Sequence, residues 1–136
     1  MFLALTDIKE YWSKKKKIVL LGEWCENTSI KKNIQNYLTH DYHWNDLEKA
    51  KVDNQNLFET YLKVIKSISF SLNEIHQTNF DKKFWEILIG PWLWSFISVL
   101  YDRYQSIDTC LKKYPINETT IYQNIYVPKN NPDSKT

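Results

Sequence analysis

The chain has 136 residues, is 43% hydrophobic and 15% aromatic, and carries a net charge of +2. That length supports one domain with a modest core, and the near balance of charge offers no field for nucleic acid. Two glycines exclude a Gly-x-Gly-x-x-Gly loop and two cysteines share no zinc spacing with a histidine, so no cofactor or metal is expected and a reduced, cytoplasmic setting fits.

Phe2-Leu3-Ala4-Leu5-Thr6 is a short apolar run ending at Asp7, and Ile18-Val19-Leu20-Leu21-Gly22 is a second, β-branched and closed by glycine. Continuously apolar runs of this length read as parallel strands buried on both faces. The N-terminus lacks a basic region ahead of a signal-type core, so no targeting segment is expected. The lysines at 14–17 read as a solvated loop between the strands. Trp24 and Glu26 follow the second strand, at the carboxyl end where open α/β sheets place ligands, which makes Trp24 a candidate substrate contact. Ile30, Ile34, Tyr37 and Leu38 fall at helical spacing and predict a short helix over 28–39.

Asn45 followed by Glu48 forms an Asn-type capping box, with Asp46 in a first turn that favours acids. A long helix is predicted from there to about His76, with Leu47, Ala50, Leu57, Phe58, Tyr61, Ile65, Ile68, Leu72 and Ile75 on its buried face. Asn79 or Asp81 can cap the next helix. Gly90-Pro91 predicts a break or sharp kink in it, after which a second half runs to about Tyr114 and Pro115 closes it. The apolar stretch 84–100 falls short of the ~20 residues that span a bilayer and contains Glu86, Gly90 and Pro91, so a buried soluble segment is expected in place of a transmembrane one. Residues 116–127 read as a strand or an extended segment, and 128–136 as a disordered tail.

Five polar residues invite a functional reading, each beside a structural one. Arg103 is the single arginine among eighteen basic residues, so its planar, bidentate donors are the reason for it. They serve recognition of a phosphate or carboxylate, or an ion pair with Asp102, Glu86 or an acid on the long helix. Glu86, set among large apolar groups, is a carboxylate with a raised pKa suited to acid–base work, or a solvent-facing one. His43 lies just before a helix N-terminus that favours anions, where it could move protons or meet a phosphate oxygen. It could equally bond locally while Tyr42 or Trp44 staples the helix entry. Asn73 and His76 share one helical face, as a C-terminal cation on the dipole or as a pair facing a cleft.

Tyr42-His43-Trp44-Asn45-Asp46-Leu47-Glu48-Lys49 and Ile87-Leu88-Ile89-Gly90-Pro91-Trp92-Leu93 are the most specific blocks in the chain. With Phe2 to Thr6, Leu21 to Cys25, Leu72 to His76 and Leu100 to Arg103, in that order, the chain resembles the N-terminal part of the transferases encoded among bacterial surface-carbohydrate (O-antigen or capsule) biosynthesis genes. The resemblance covers about 2–112. Asn45 and Leu47 depart from its pattern, which carries aspartate and arginine there. It implies an α/β fold with short parallel strands, a Rossmann-like half of a larger two-domain, glycosyltransferase-like enzyme, spanning 1–127 with a tail at 128–136. It also implies members several times longer, so that this chain is a fragment without the donor-binding half. The implied function is glycosyl transfer, with a nucleotide-sugar or carbohydrate acceptor and a missing C-terminal domain or another subunit as partners. On that reading His43 or His76 acts as the base for an acceptor hydroxyl, and Trp24, Asp46 and Arg103 contact substrate. The alternative is a noncatalytic interaction module whose aromatic face at Trp92, Trp94 and Phe96 packs on another domain or subunit.

Overall fold

A computed structural model describes residues 1–13, 16–26 and 37–121. It has two parts, a small parallel sheet and a long helical hairpin. Strands β1 (Phe2–Ala4), β2 (Ile18–Leu20), β3 (Tyr37–Thr39) and β4 (Glu118–Thr119) form one sheet in the order β3-β2-β1-β4, with every pair parallel. The apolar runs become strands as expected: all six residues of β1 and β2 are buried, and Val19 and Leu20 are 0% exposed. Between β1 and β2, Trp12 folds back onto this core and its indole N–H donates to the Thr6 carbonyl at 2.9 Å. Cys25 and Cys110, both free thiols, fill the same core.

The helix expected over 28–39 is corrected where it can be compared. Residues 37–39 are strand β3, in register with β2, while 27–36 lie outside the described residues, as do Lys14, Lys15 and all of 122–136. Leu38 is 37% exposed, so β3 is defined by its ladder with β2 and not by an apolar face.

The hairpin consists of α1 (Leu47–His76) and α2 (Lys82–Lys113). Asp46, not Asn45, caps α1, accepting from the backbone N–H groups of Glu48 and Lys49 at 3.0 and 3.2 Å. Asn45 instead belongs to the 3-10 turn His43–Asn45 that leads into the cap. Asp81 caps α2 by accepting from Phe84 N–H at 2.8 Å. At the far end of α1, Gln77 takes the left-handed conformation (φ 53°), and Gln77 and Thr78 N–H bond back to Glu74 and Asn73 in a Schellman turn.

No break occurs at Gly90-Pro91; α2 runs through it. Pro91 withdraws a donor from the carbonyl of Ile87. Both Pro91 and Ile87 face solvent, Ile87 at 72% exposure, so water can satisfy that carbonyl and the helix continues. Gly90 is there for the helix contact: a Cβ on it would come within 2.6 Å of the Tyr61 hydroxyl. Gly90→Ala should therefore be near neutral, because the Tyr61 tip can move and alanine gains about 1 kcal/mol of helix propensity. Gly90→Leu should cost about 1–3 kcal/mol by overpacking, measured by urea denaturation.

The stretch 84–100 is not the core of this chain. Within the described residues only Trp85, Gly90 and Leu93 of it are buried, because a two-helix hairpin has a single mutual seam and leaves the outer face of each helix uncovered. On α1 the seam is made by Asp53, Leu57, Ile65 and Ser69, while Leu47 and Ile75, expected inside, are 73% and 72% exposed. By length and composition alone α2 is a candidate to cross a membrane, and 17% of its most apolar window is buried within the chain.

Candidate functional site

The polar residues converge where the open end of the hairpin meets the carboxyl ends of β2 and β3. A cleft of about 450 Å³ lies there, lined by Glu23, Trp24, Glu26, Thr39, His40, Asp41, Tyr42, Asn45, Asp102 and Arg103. The strands place it: Trp24 follows β2 and His40 to Tyr42 follow β3, while α2 brings Asp102 and Arg103 across from the other side.

Asp102 is the hub. Its Oδ1 accepts from His43 Nε2 at 3.1 Å and the Tyr42 hydroxyl also bonds to it, while Arg103 stands 3.8 Å from Oδ2. Burial, then this bond and the carboxylate's charge, push the Tyr42 hydroxyl up to about 12, so it stays protonated and donates. The His43 side chain is 1% exposed, boxed in by the rings of Tyr42, Trp44 and Tyr101 at centroid distances of 5.0, 4.7 and 6.4 Å. His43 is therefore behind the cleft wall and touches the cleft through Asp102.

Arg103 lies over the Trp24 ring at 4.8 Å, a cation–π stack. Gly22 lets that ring fold down, since any Cβ there would collide with it. The weak ion pair with Asp102 and the stack hold the guanidinium while leaving it 54% exposed, so both sequence readings of Arg103 describe part of it. Other lining acids are also tethered: Asp41 accepts from Lys113 Nζ at 2.6 Å and Glu26 accepts from Thr39 Oγ1 at 2.5 Å. The Lys113 bond holds the Asp41 carboxyl below its usual range.

His40 is 6% exposed and its Nε2 lies 2.9 Å from Thr109 Oγ1. Thr109 already gives its single hydroxyl proton to the Gln105 carbonyl at 2.7 Å, so His40 Nε2 is the donor and Nδ1 carries the lone pair. Nδ1 has no partner among the described residues. Desolvation first, and then the charge of Lys113, lower the pKa of this imidazole, which keeps it neutral.

A second carboxylate locks the site to the hairpin. Asp53, 8% exposed, accepts from Trp44 Nε1 at 2.9 Å, from Lys49 and from the Tyr101 hydroxyl. Trp44 stacks on Tyr101 at 6.2 Å. Desolvation works to raise the Asp53 pKa, but the Lys49, Tyr101 and Trp44 bonds outweigh it and the carboxyl sits below its usual range. A depressed carboxylate contributes stability above its unfolded pKa of about 3.9 and loses it as pH falls through the folded value. Asp53→Ala should thus cost about 2–3 kcal/mol at pH 7, and the gap to the unsubstituted chain should be narrower at about pH 3, below the unfolded pKa. Urea denaturation at the two pH values measures both.

Of the residues proposed from sequence, Trp24 and Arg103 line the cleft together and His43 stands behind it. Asp46 is occupied as the α1 cap and does not line the cleft. His76 is at the other end of the 30-residue α1, about 45 Å along the helix, where it stacks on Trp85 at 6.1 Å. Glu86 is also distant in sequence from the site and is held below the usual carboxylate range by Lys82, the opposite of the raised pKa considered for it. Asp102 is the functional candidate that spacing missed. The Asp-Arg pair was visible, but its partners Tyr42 and His43 lie some sixty residues away.

Residues 1–126 match the family model described as LIC12162 family transferase. The chain belongs to that family. This LIC12162 family transferase thus has its matched region covering the whole described structure, the sheet, the hairpin and the cleft between them. No curated protein and no solved structure matches the chain. Among the described residues of the transferase, no three His, Cys, Asp or Glu side chains are grouped to share a metal ion.

Proposed function

We propose that the chain is the N-terminal α/β portion of a glycosyl-transferring enzyme of bacterial surface-polysaccharide biosynthesis, and that the cleft between β2, β3 and α2 is its substrate site. The observation that carries this is Asp102, a carboxylate lining a cleft at the carboxyl ends of parallel strands and oriented by His43 and Tyr42. Membership of a transferase family supports transfer chemistry. The parallel order β3-β2-β1-β4 is that of the first four strands of a doubly wound nucleotide-binding sheet, which supports a Rossmann-like half of a two-domain enzyme, and the two free cysteines favour a reducing, cytoplasmic setting.

In this reading Asp102 takes the proton from an acceptor hydroxyl as that oxygen attacks the anomeric carbon of a nucleotide-sugar. The new C–O bond forms as the bond to the nucleotide breaks, and the nucleotide leaves with its electron pair. His43 is a positioning residue, fixing the carboxylate through Nε2–H. Arg103 and Trp24 hold substrate. The donor-binding half comes from a further domain or another subunit.

The test is a chromosomal one. Cells whose only copy carries Arg103→Ala or Trp24→Ala should make surface polysaccharide of reduced amount or length on gels, and the unsubstituted sequence should restore it. An unchanged ladder in a strain lacking the sequence altogether would remove the polysaccharide role.

A second reading, a noncatalytic docking module, rests on the uncovered hairpin. An apolar groove of about 730 Å³ runs between the helices, and Trp92 and Phe96 stack at 5.4 Å on its rim with exposures of 63% and 51%. The two readings are compatible if this face meets the rest of the enzyme.

A further inference from the structure

Helix α2 carries a row of large apolar side chains that nothing among the described residues covers. Leu88, Trp92, Phe96, Leu100 and Tyr104 step by four along it, and each is between 51% and 64% exposed. Side chains four apart on a helix form a ridge, and such ridges seat in the groove of a facing helix. The groove of about 730 Å³ runs alongside, its floor made by the next row on α2, Leu93, Ile97 and Tyr101, with Val64 and Ile68 of α1 opposite. A ridge and a groove side by side make this face complementary to itself. Turned about a two-fold axis, the ridge of one copy meets the groove of the other.

Charge and area both suit a second copy. None of the residues lining the groove is charged, so two such faces meet without like-charge repulsion. Helices that lie on lipid flank their apolar face with lysine and arginine, whereas α2 has no basic residue between Lys83 and Arg103, the stretch that holds most of the ridge. At about 150–250 Å² for a whole aromatic side chain and less for leucine, the five ridge residues leave roughly 500 Å² of apolar surface open. A stable dimer buries about 800 Å² on each partner, about 65% of it apolar when the partners are identical. The ridge supplies that apolar share.

We propose that the chain forms a two-fold dimer through the α2 ridge, with Phe96, the middle of the row, at the axis and Trp92 of one copy beside Leu100 of the other. This rests on the reading of the hairpin as a docking face and names what docks there. The two α2 helices cross at about −50°, the angle that ridges of this spacing set.

Sedimentation velocity of the full 136-residue chain should show a discrete dimer with a Kd in the micromolar range or tighter. Phe96→Lys sets two like charges at the axis and should weaken the dimer at least about a hundredfold, with the far-UV helical signal unchanged. Leu100→Lys, at a position 60% exposed, should do the same, so the result does not hang on how one substitution folds. Phe70→Lys, on α1 outside the groove and 66% exposed, should leave the dimer intact. Equal weakening by Phe70→Lys would overturn the proposal in favour of unspecific aggregation, and a dimer that both ridge substitutions leave intact would overturn it in favour of another surface. A chain that stays monomeric at about 100 µM yet binds the hydrophobic dye ANS would overturn the dimer while leaving a docking face for a different partner. Attachment of such a monomer to phosphatidylcholine or phosphatidylserine vesicles, abolished by the ridge substitutions, would overturn the dimer in favour of a lipid surface. A monomer that binds neither ANS nor vesicles would remove the docking reading together with the proposal.

Discussion

Replacing Asp102 by asparagine is expected to lower transfer by about 10²–10⁴-fold, the range for loss of a positioned general base. Asparagine keeps the size and one acceptor oxygen, so the Tyr42 and His43 contacts can persist and the fold should survive. What is lost is a group able to take a proton. Incorporation of labelled sugar should be followed in extracts of cells whose only copy is substituted, alongside the urea midpoint of the purified chain. His43→Leu makes a useful contrast. It removes a donor that acts through Asp102, so it should reduce turnover less, by about tenfold, and Asp102→Asn combined with it should lose little more. Equal rates in Asp102→Asn and the unsubstituted protein would remove Asp102 as the base.

Asn73→Leu is expected to destabilise the hairpin by about 2–4 kcal/mol. Asn73 Oδ1 accepts from Thr78 Oγ1 at 3.0 Å, from Phe80 N–H at 3.1 Å and from Trp85 Nε1 at 3.1 Å, and its Nδ2 donates to the Phe80 carbonyl at 2.8 Å. One amide thereby closes the turn and pins the first turn of α2 to the last turn of α1. Trp85 is 5% exposed, so its indole N–H would be left buried without a partner, the costly part of the loss. Thr78→Val removes only one of these bonds and should cost about 1 kcal/mol. Denaturant midpoints for the two variants test the ranking, and a smaller loss for Asn73→Leu than for Thr78→Val would contradict the role given to Asn73.

The parts legible in sequence are those with local causes. Two short runs of apolar residues gave β1 and β2, because a strand buried on both faces must be apolar throughout. Helix starts at Asp46 and Asp81 follow from side-chain caps, although the capping-box pattern points to Asn45, one residue before the true cap. Strand β3 is not legible because Tyr37 and Leu38 also fit a helical spacing with Ile30 and Ile34, and only the ladder with β2 makes Tyr37–Thr39 a strand. At Gly90-Pro91 the expected break is absent, because the carbonyl of Ile87 that loses its donor lies on the outer face of the helix, where water can satisfy it. At the site, Trp24 and Arg103 stood out by strand-end position and by rarity. The Asp102 hub and the Asp53 lock did not, since each depends on residues brought together where the two helices pack against the 3-10 turn His43–Asn45. His76 looked equivalent to His43 in sequence, and only the length of α1 separates them.

A crystal structure of the full chain soaked with a neutral sugar acceptor and a nucleotide-sugar addresses the substrate site most directly. The expected result is sugar density in the cleft with a hydroxyl within hydrogen-bond distance of Asp102 and a ring edge on Trp24. Density seated only on the hairpin groove, with the cleft filled by water at saturating sugar, would contradict the assignment of the cleft as the place where transfer occurs.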